Sequence, residues 1–278
     1  MIPPIANRFV AGEEPEAALA HVAEVNDRGV GGILNLLGEH YDDRPDADAD
    51  ADAYCRLVDG IAERGLDASV SVKPSQIGID LPTTAFEENL ARIVDRAIER
   101  DVFVWVDMED HETTDQTLDA VCEQAERHPH GVGLAIQANL KRTEADLARL
   151  ADVPAAVRLV KGAYDEPAAI AYREQETVDE KYREYLEFLF REFDEGVAVG
   201  SHDPAMLEYA RELHEEYGTP FEIQMLMGVR EDAQFDLAEE YDVYQYAPYG
   251  PKWFQYFYRR VRERKKNALF ALRAVVGV

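Results

Sequence analysis

The stretch Ala155-Ala-Val-Arg-Leu-Val-Lys-Gly-Ala-Tyr164 sets a short apolar run against an abrupt polar turn. The run does not alternate and is too brief for a helix, which is how a strand buried on both faces of a parallel sheet reads. Seven other runs share its character: Val30–Leu37, Ala68–Val72, Val102–Val106, Val132–Gln137, Val197–Ser201, Phe221–Leu226 and Val243–Ala247. Amphipathic, helix-like segments lie between them, among them Thr83–Arg100, Thr114–His128, Glu174–Asp194, Pro204–Tyr217 and Trp253–Val275. Pro204, just after Asp203, is placed to open a helix. Strands alternating with helices predict an α/β fold, a (β/α)8 TIM-type barrel, with an extra helix over Glu14–Asn26 at its start. No linker or shift in composition interrupts the pattern, so residues 1–278 are expected to form one domain.

In such a barrel, working residues stand at the C-terminal ends of the strands. Polar residues occupy those positions around nearly the whole rim. Lys73 follows the second run, and Asp107 and Glu109 follow the third. Gln137 ends the fourth, and Arg158 and Lys161 flank the end of the fifth. Ser201-His202 ends the sixth, Gln224 lies within the seventh, and Tyr246 is near the end of the eighth. Singly, each has a plain structural explanation. Lys73 could be a solvated loop lysine, and Asp107 could cap the following helix unless Thr114 does so. Gln137, inside an apolar strand, needs a hydrogen-bonding partner, which a ligand could supply. Arg158 is hardest to explain by structure alone, because an unpaired buried guanidinium is very costly and must meet a carboxylate or a polar ligand.

Composition narrows the classes. Asp and Glu number 56 against 29 Lys and Arg, for a formal charge of −27. This acid-rich, lysine-poor surface resembles adaptation to a salty cytoplasm, where ions screen self-repulsion. It argues against nucleic acid as a partner, since that needs a basic footprint. No apolar run is long enough to span a membrane, and Met1-Ile-Pro-Pro4 lacks the pattern of a signal peptide. Cys55 and Cys122 are isolated, which fits a reducing cytoplasm and no zinc motif. The run Asp42–Asp52 is expected to be a solvated loop leading into a helix; it lacks the glycine and distal glutamate of a calcium-binding loop.

Against this acidic background, Lys252–Arg273 carries eight Lys and Arg residues and one acid, Glu263. Arg259 and Arg260 are adjacent and preceded by aromatics, in Tyr256-Phe-Tyr-Arg-Arg260. Paired guanidiniums can clamp a small anion such as a carboxylate through parallel hydrogen bonds.

Arg158-Leu-Val-Lys-Gly-Ala-Tyr164, Phe221-Glu-Ile-Gln-Met-Leu226, Tyr246-Ala-Pro-Tyr-Gly250 and Tyr256-Phe-Tyr-Arg-Arg260 together resemble the signature segments of the proline dehydrogenase family. The resemblance runs in the right order from about Arg8 to the C-terminus. It implies a distorted (β/α)8 barrel that uses FAD to oxidise L-proline to 1-pyrroline-5-carboxylate, with hydride passing from proline C5 to flavin N5, the first step of proline catabolism. By the same resemblance, Lys73, Arg259 and Arg260 bind the substrate carboxylate, and Glu263 orients the arginines. Tyr246, Tyr256 and Leu226 wall the substrate pocket. Asp107 sits beside the substrate, and Arg158 lies near flavin N5. Met108, Gln137, Arg158, Val160, Lys161, Gly162, Ala163, Ser201, His202 and Gln224 contact FAD. The resemblance further implies a quinone or other acceptor for the electrons. The protein is expected in the cytoplasm, with peripheral contact at the inner face of the cell membrane as an alternative for which the acidic surface offers no obvious basic dock. Ser201-His202-Asp203 and Met227 depart from the family's usual residues, which leaves cofactor packing there open. No glycine-rich nucleotide-binding domain is present, so the stand-alone form is the one resembled.

A rival chemistry is a divalent-metal barrel using Asp107, Glu109 and His202, with His111 nearby. It gives no role to Arg158 or to the Arg259–Arg260 pair.

Overall fold

The computed structural model describes residues 7–164, 166–254, 256 and 258. Eight strands form a closed barrel in chain order, each parallel to the next: β1 (Gly31–Leu36), β2 (Ala68–Val72), β3 (Val104–Val106), β4 (Val132–Gln137), β5 (Ala156–Val160), β6 (Val197–Gly200), β7 (Phe221–Leu226) and β8 (Asp242–Tyr249). The ring closes where β8 pairs with β1 in a parallel register from Gly31–Tyr244 to Leu36–Tyr249. Every residue of β1 and of β4 is buried, as expected of strands covered on both faces.

A leading helix, α1 (Pro15–Asn26), packs against β1 and β8 as expected. The barrel helices are α2 (Arg44–Arg64), α3 (Ala85–Glu99), α4 (Thr114–Arg127), α5 (Thr143–Leu150), α6 (Gln175–Glu192), α7 (Pro204–Tyr217) and α8 (Glu231–Leu237). Among the described residues, no helix is long and apolar enough to cross a membrane. The predicted helix at 253–275 falls for most of its length outside the described residues.

The acidic run corrects its expectation. Most of Asp42–Asp52 is helix, not loop. Asp43 caps α2 by accepting the Asp46 amide at 3.1 Å, and Pro45 sits in the first turn. The alternating Asp-Ala pattern masks a helical spacing. Ala47, Ala51, Tyr54, Val58 and Ile61 fall on one buried face, and the aspartates between point elsewhere. Gly65 ends the helix in the left-handed conformation that glycine adopts without strain.

The barrel interior is layered. Ile33, Trp105, Ala156 and Ala198 make an apolar floor toward the N-terminal ends of the strands. Two residues further along, Asn35, Ser71, Arg158 and Gln224 turn into the same space, because side chains repeat on a strand face with period two. The polar layer therefore rests on this apolar floor and faces the mouth formed by the strand C-termini.

Candidate active site

At that mouth lies a cavity of about 480 Å3. Its lining includes Lys73, Asp107, Met108, Arg158, Val160, Lys161, Gly162, Ala163, His202, Gln224, Leu226, Tyr246 and Tyr256. These are 13 of the predicted site residues, contributed by β2, β3, β5, β6, β7, β8 and the segment after β8.

Arg158 is the hub. It is 4% exposed. Its Nη2 donates to Asp107 Oδ1 in a very short contact and to Ser71 Oγ at 3.1 Å, and its Nη1 donates to Gln224 Oε1 at 2.9 Å. The guanidinium carbon lies 5.1 Å from the centre of the Trp105 ring and 5.7 Å from that of Tyr246. The buried charge thus meets both demands made of it, a carboxylate and polar partners, with two aromatic rings beside it. Asp107 also accepts from the Ser71 hydroxyl at 2.9 Å and from the Tyr246 hydroxyl at 2.7 Å. Burial first, and then the negative Asp107, push the Tyr246 hydroxyl well above the ordinary tyrosine pKa, so it remains a donor.

Lys73 stands on the other side. Its ammonium lies 3.4 Å from Glu109 Oε1 and 3.9 Å from Glu39 Oε2. Burial works against its charge, but Glu109, Tyr164, Asp107 and Glu39 outweigh it, so its pKa lies above the ordinary lysine value. Glu109, 2% exposed, is anchored by the Ser75 amide at 2.7 Å and the Ser75 hydroxyl at 2.9 Å. Lys161 reaches Asp179 at 2.5 Å and Asp203 at 3.0 Å, tying the turn after β5 to α6 and to the start of α7. Asp203 caps α7 through the Ala205 amide, as its position before Pro204 predicts. His202 Nε2 accepts the Leu226 amide at 3.2 Å, which fixes that ring nitrogen as unprotonated. Tyr256 packs with Phe9, Val10 and Leu37, closing one side of the cavity.

Two predicted contacts lie outside the lining. Gln137 finds its partner within the protein, donating to the Glu109 carbonyl at 2.7 Å. Ser201 Oγ accepts the Asp203 amide at 3.2 Å. Arg259, Arg260 and Glu263 lie outside the described residues. Asp107 does not cap α4, and neither does Thr114, which forms the first residue of that helix. The metal reading loses its ligands to other partners. Glu109 is committed to Lys73 and Ser75, and His111 lies 2.6 Å from Glu166. Among the described residues, no group of three or more His, Cys, Asp or Glu is placed to hold a metal ion. Three residues of the site drew no notice in the sequence: Ser71, Trp105 and Asn35. Ser71 alone carried a signal, as one of two serines alternating with valine in Ser69-Val-Ser-Val72.

The donor set suits a flat heteroaromatic cofactor. One wall carries a guanidinium, an amide and an imidazole, and the next is a nearly bare backbone at Gly162-Ala163. Gly162 has φ of +106°, and a Cβ there would come within 2.1 Å of Asn139 Oδ1. The turn can therefore bring its main chain close to a ligand only with glycine at this position.

The family described as proline dehydrogenase matches residues 18–273. Proline dehydrogenase 1 of Bacillus subtilis (strain 168) is 34% identical over 275 residues, covering 98% of this chain and 90% of that protein. Proline dehydrogenase of Deinococcus radiodurans is 36% identical over 287 residues, with the same coverage of both. Among solved structures, proline utilization A from Bdellovibrio bacteriovorus, inactivated by N-propargylglycine, superposes with a TM-score of 0.83 at 24% identity. That match covers 92% of this chain and 32% of the larger protein, so this chain spans about a third of its length and shares the barrel fold.

Proposed function

The chain belongs to the proline dehydrogenase family, and we propose from this that residues 1–278 act as one barrel domain that oxidises L-proline to 1-pyrroline-5-carboxylate with FAD. When bound, FAD supplies the acceptor for the hydride that leaves proline C5. The observation that carries this reading is the polar layer joining Asp107, Arg158, Gln224 and Tyr246 at the mouth of the barrel.

The chain's own residues have distinct tasks in this reading. Lys73, secured in its charged form, binds the proline carboxylate together with Arg259 and Arg260, and Glu263 orients the arginines. Tyr246, Tyr256 and Leu226 shape the apolar side of the pocket and hold the ring in reactive alignment, a main source of acceleration when a cofactor supplies the redox chemistry. Lys73, Arg158, Arg259 and Arg260 favour the neutral substrate amine by charge repulsion. Three donors already converge on Asp107, so its task is to orient Arg158 and Tyr246. Arg158 and Gln224 would hold the redox-active part of the cofactor, and the Val160–Ala163 turn, Met108 and His202 would cradle the rest of it. Gln137 and Ser201 support the site from behind, Gln137 by holding the Glu109 main chain. A quinone or another acceptor then takes the electrons.

The test is an absorption spectrum of the purified protein followed by anaerobic addition of proline. A yellow protein bleached by proline is expected. A folded, colourless protein that gains no activity with added FAD refutes the proposal. In Arg259→Met and Arg260→Met, KM for proline should rise while flavin content holds, because truncating one partner of a desolvated charged pair costs about 2–5 kcal/mol.

A further inference from the structure

Below Gln224 on the same face of β7 stands Glu222, a residue with no task in the site described so far. The Gln224 side chain is held at both ends. Its Oε1 accepts from Arg158 Nη1 at 2.9 Å, and its Nε2 donates to Glu222 Oε1 in a very short contact. A guanidinium can only donate and a carboxylate can only accept, so the two partners agree on one orientation of the amide. The result is an unbroken line, Tyr246–Asp107–Arg158–Gln224–Glu222, from the mouth of the barrel to its opposite end.

At that opposite end a second cavity of about 490 Å3 opens among the N-terminal ends of the strands, and Glu222 and Trp105 line it. Arg158 lies beyond the Trp105 ring and, among the described residues, is the basic group that acts on the carboxyl of Glu222. Acids from the neighbouring elements line the same cavity, Asp242 of β8, Asp67 before β2, Asp101 before β3 and Glu195 before β6, with the neutral Tyr244 of β8 beside them; Asp242 and Asp67 act on Glu222 directly. The Tyr244 hydroxyl is engaged with Asp67 at 3.1 Å. β5 and β6 contribute Ala156 and Ala198 at this level, which carry no charge.

We infer that Glu222 is a positioning residue for the reaction, which holds Arg158 through the Gln224 amide and, by gaining or losing a proton, changes the net charge behind Arg158. This rests on the proposed placement of Arg158 beside the redox cofactor. With the carboxyl ionised, Arg158 stands between two carboxylates, Asp107 and Glu222. With it protonated, Arg158 has one, and the site is more positive by a full charge. Burial, then Asp242 and Asp67, raise the Glu222 pKa to about 7 despite the opposing Gln224 and Arg158, so both states are accessible near neutrality. Either state still offers an oxygen to Gln224, so the geometry is kept while the charge changes. A more positive site stabilises added negative charge, so protonation of Glu222 raises the reduction potential of the bound cofactor.

Two variants separate geometry from charge. Glu222→Gln keeps an oxygen for Gln224 but cannot ionise, and Glu222→Leu removes both. The reduction potential of the holoenzyme should coincide for wild type and Glu222→Gln at acid pH, and the wild type should fall below the variant above neutrality. Glu222→Leu should lose kcat by about tenfold with little change in KM for proline, and Glu222→Gln should rescue most of that loss. Parallel potentials at every pH, or equal kcat in the two variants, overturn the inference. The carboxyl itself is read by its infrared C=O band, which does not depend on turnover. That band should disappear on titration between about pH 5 and 9, be absent in Glu222→Gln, and shift its midpoint in Gln224→Leu. A protein that lacks flavin but shows this titration refutes the functional reading and leaves the Glu222–Gln224–Arg158 link standing. A band that does not titrate, or is indifferent to Gln224→Leu, refutes the link itself.

Discussion

The Tyr246 hydroxyl of β8 donates to Asp107 Oδ2 at 2.7 Å, across the mouth of the barrel from the end of β3. This bond ties the wall of the substrate pocket to the carboxylate that holds Arg158. The two residues are 139 positions apart in sequence, and only barrel closure brings them together.

Tyr246→Phe removes that donor and nothing else of the ring. A hydrogen bond to a charged group is worth about 1.5–3 kcal/mol, so kcat/KM for proline should fall by a corresponding amount in activation free energy. Steady-state kinetics with flavin content measured in parallel decide it. An unchanged kcat/KM would show that Asp107 needs only Arg158 and Ser71.

Gly162→Ala should weaken cofactor binding. At φ of +106° an alanine is strained, and its Cβ would strike Asn139. The distortion costs about 1–3 kcal/mol and falls on the turn that faces the cavity. Fluorescence quenching of added FAD should show a dissociation constant raised by roughly tenfold or more, with a lower melting temperature. Wild-type values for both would mean that the turn has another conformation open to it.

Glu222 should make the fold less stable as pH rises toward neutrality. Its pKa in the folded protein is raised to about 7, above its unfolded value. Its contribution is therefore present in full below the unfolded pKa and declines as pH rises through about 7. The difference amounts to something on the order of 3 kcal/mol. Urea unfolding should find Glu222→Gln more stable than wild type at pH 8 relative to their difference at pH 5, because most of the loss between the unfolded pKa and about 7 falls between these two values. A constant difference at the two pH values would contradict this.

The formal charge of −27 should make stability depend on salt. The Debye length is about 30 Å at 0.01 M and about 3 Å at 1 M, so repulsion among surface carboxylates persists in dilute buffer and is screened in molar salt. The melting temperature should rise across that range. A flat profile would show that pairs such as Arg96–Asp59 and Arg149–Asp119 already balance the surface locally.

The sequence made the barrel legible because its strands are buried on both faces. Ala68–Val72, Val132–Gln137 and Phe221–Leu226 were read to the residue, since a continuous apolar run ends where the chain leaves the sheet. The Asp42–Asp52 run misled because period-two lettering hid a spacing of four between Ala47 and Ala51. Among site residues, those with an unusual chemical demand were legible, Arg158 above all. Gln137 and Ser71 show the limit. A polar side chain within a strand announces that it needs a partner, but whether a ligand, a main-chain carbonyl or a buried charge supplies it depends on the neighbouring strands.

The β1–β8 seam bears on how the chain is made. His21 Nε2 and Gln245 Oε1, 224 positions apart, lie 2.6 Å from each other beside that seam. Until β8 has emerged from the ribosome, β1 and β7 are open edges, and such edges invite pairing with other chains. The ring must then close one of its longest loops last, when the entropic cost of bringing distant segments together is greatest. A dense shell of like charge offers protection during that interval, because nascent chains that repel one another are slow to join edge to edge. The acidity of this protein thus bears on its synthesis as well as on its folded surface.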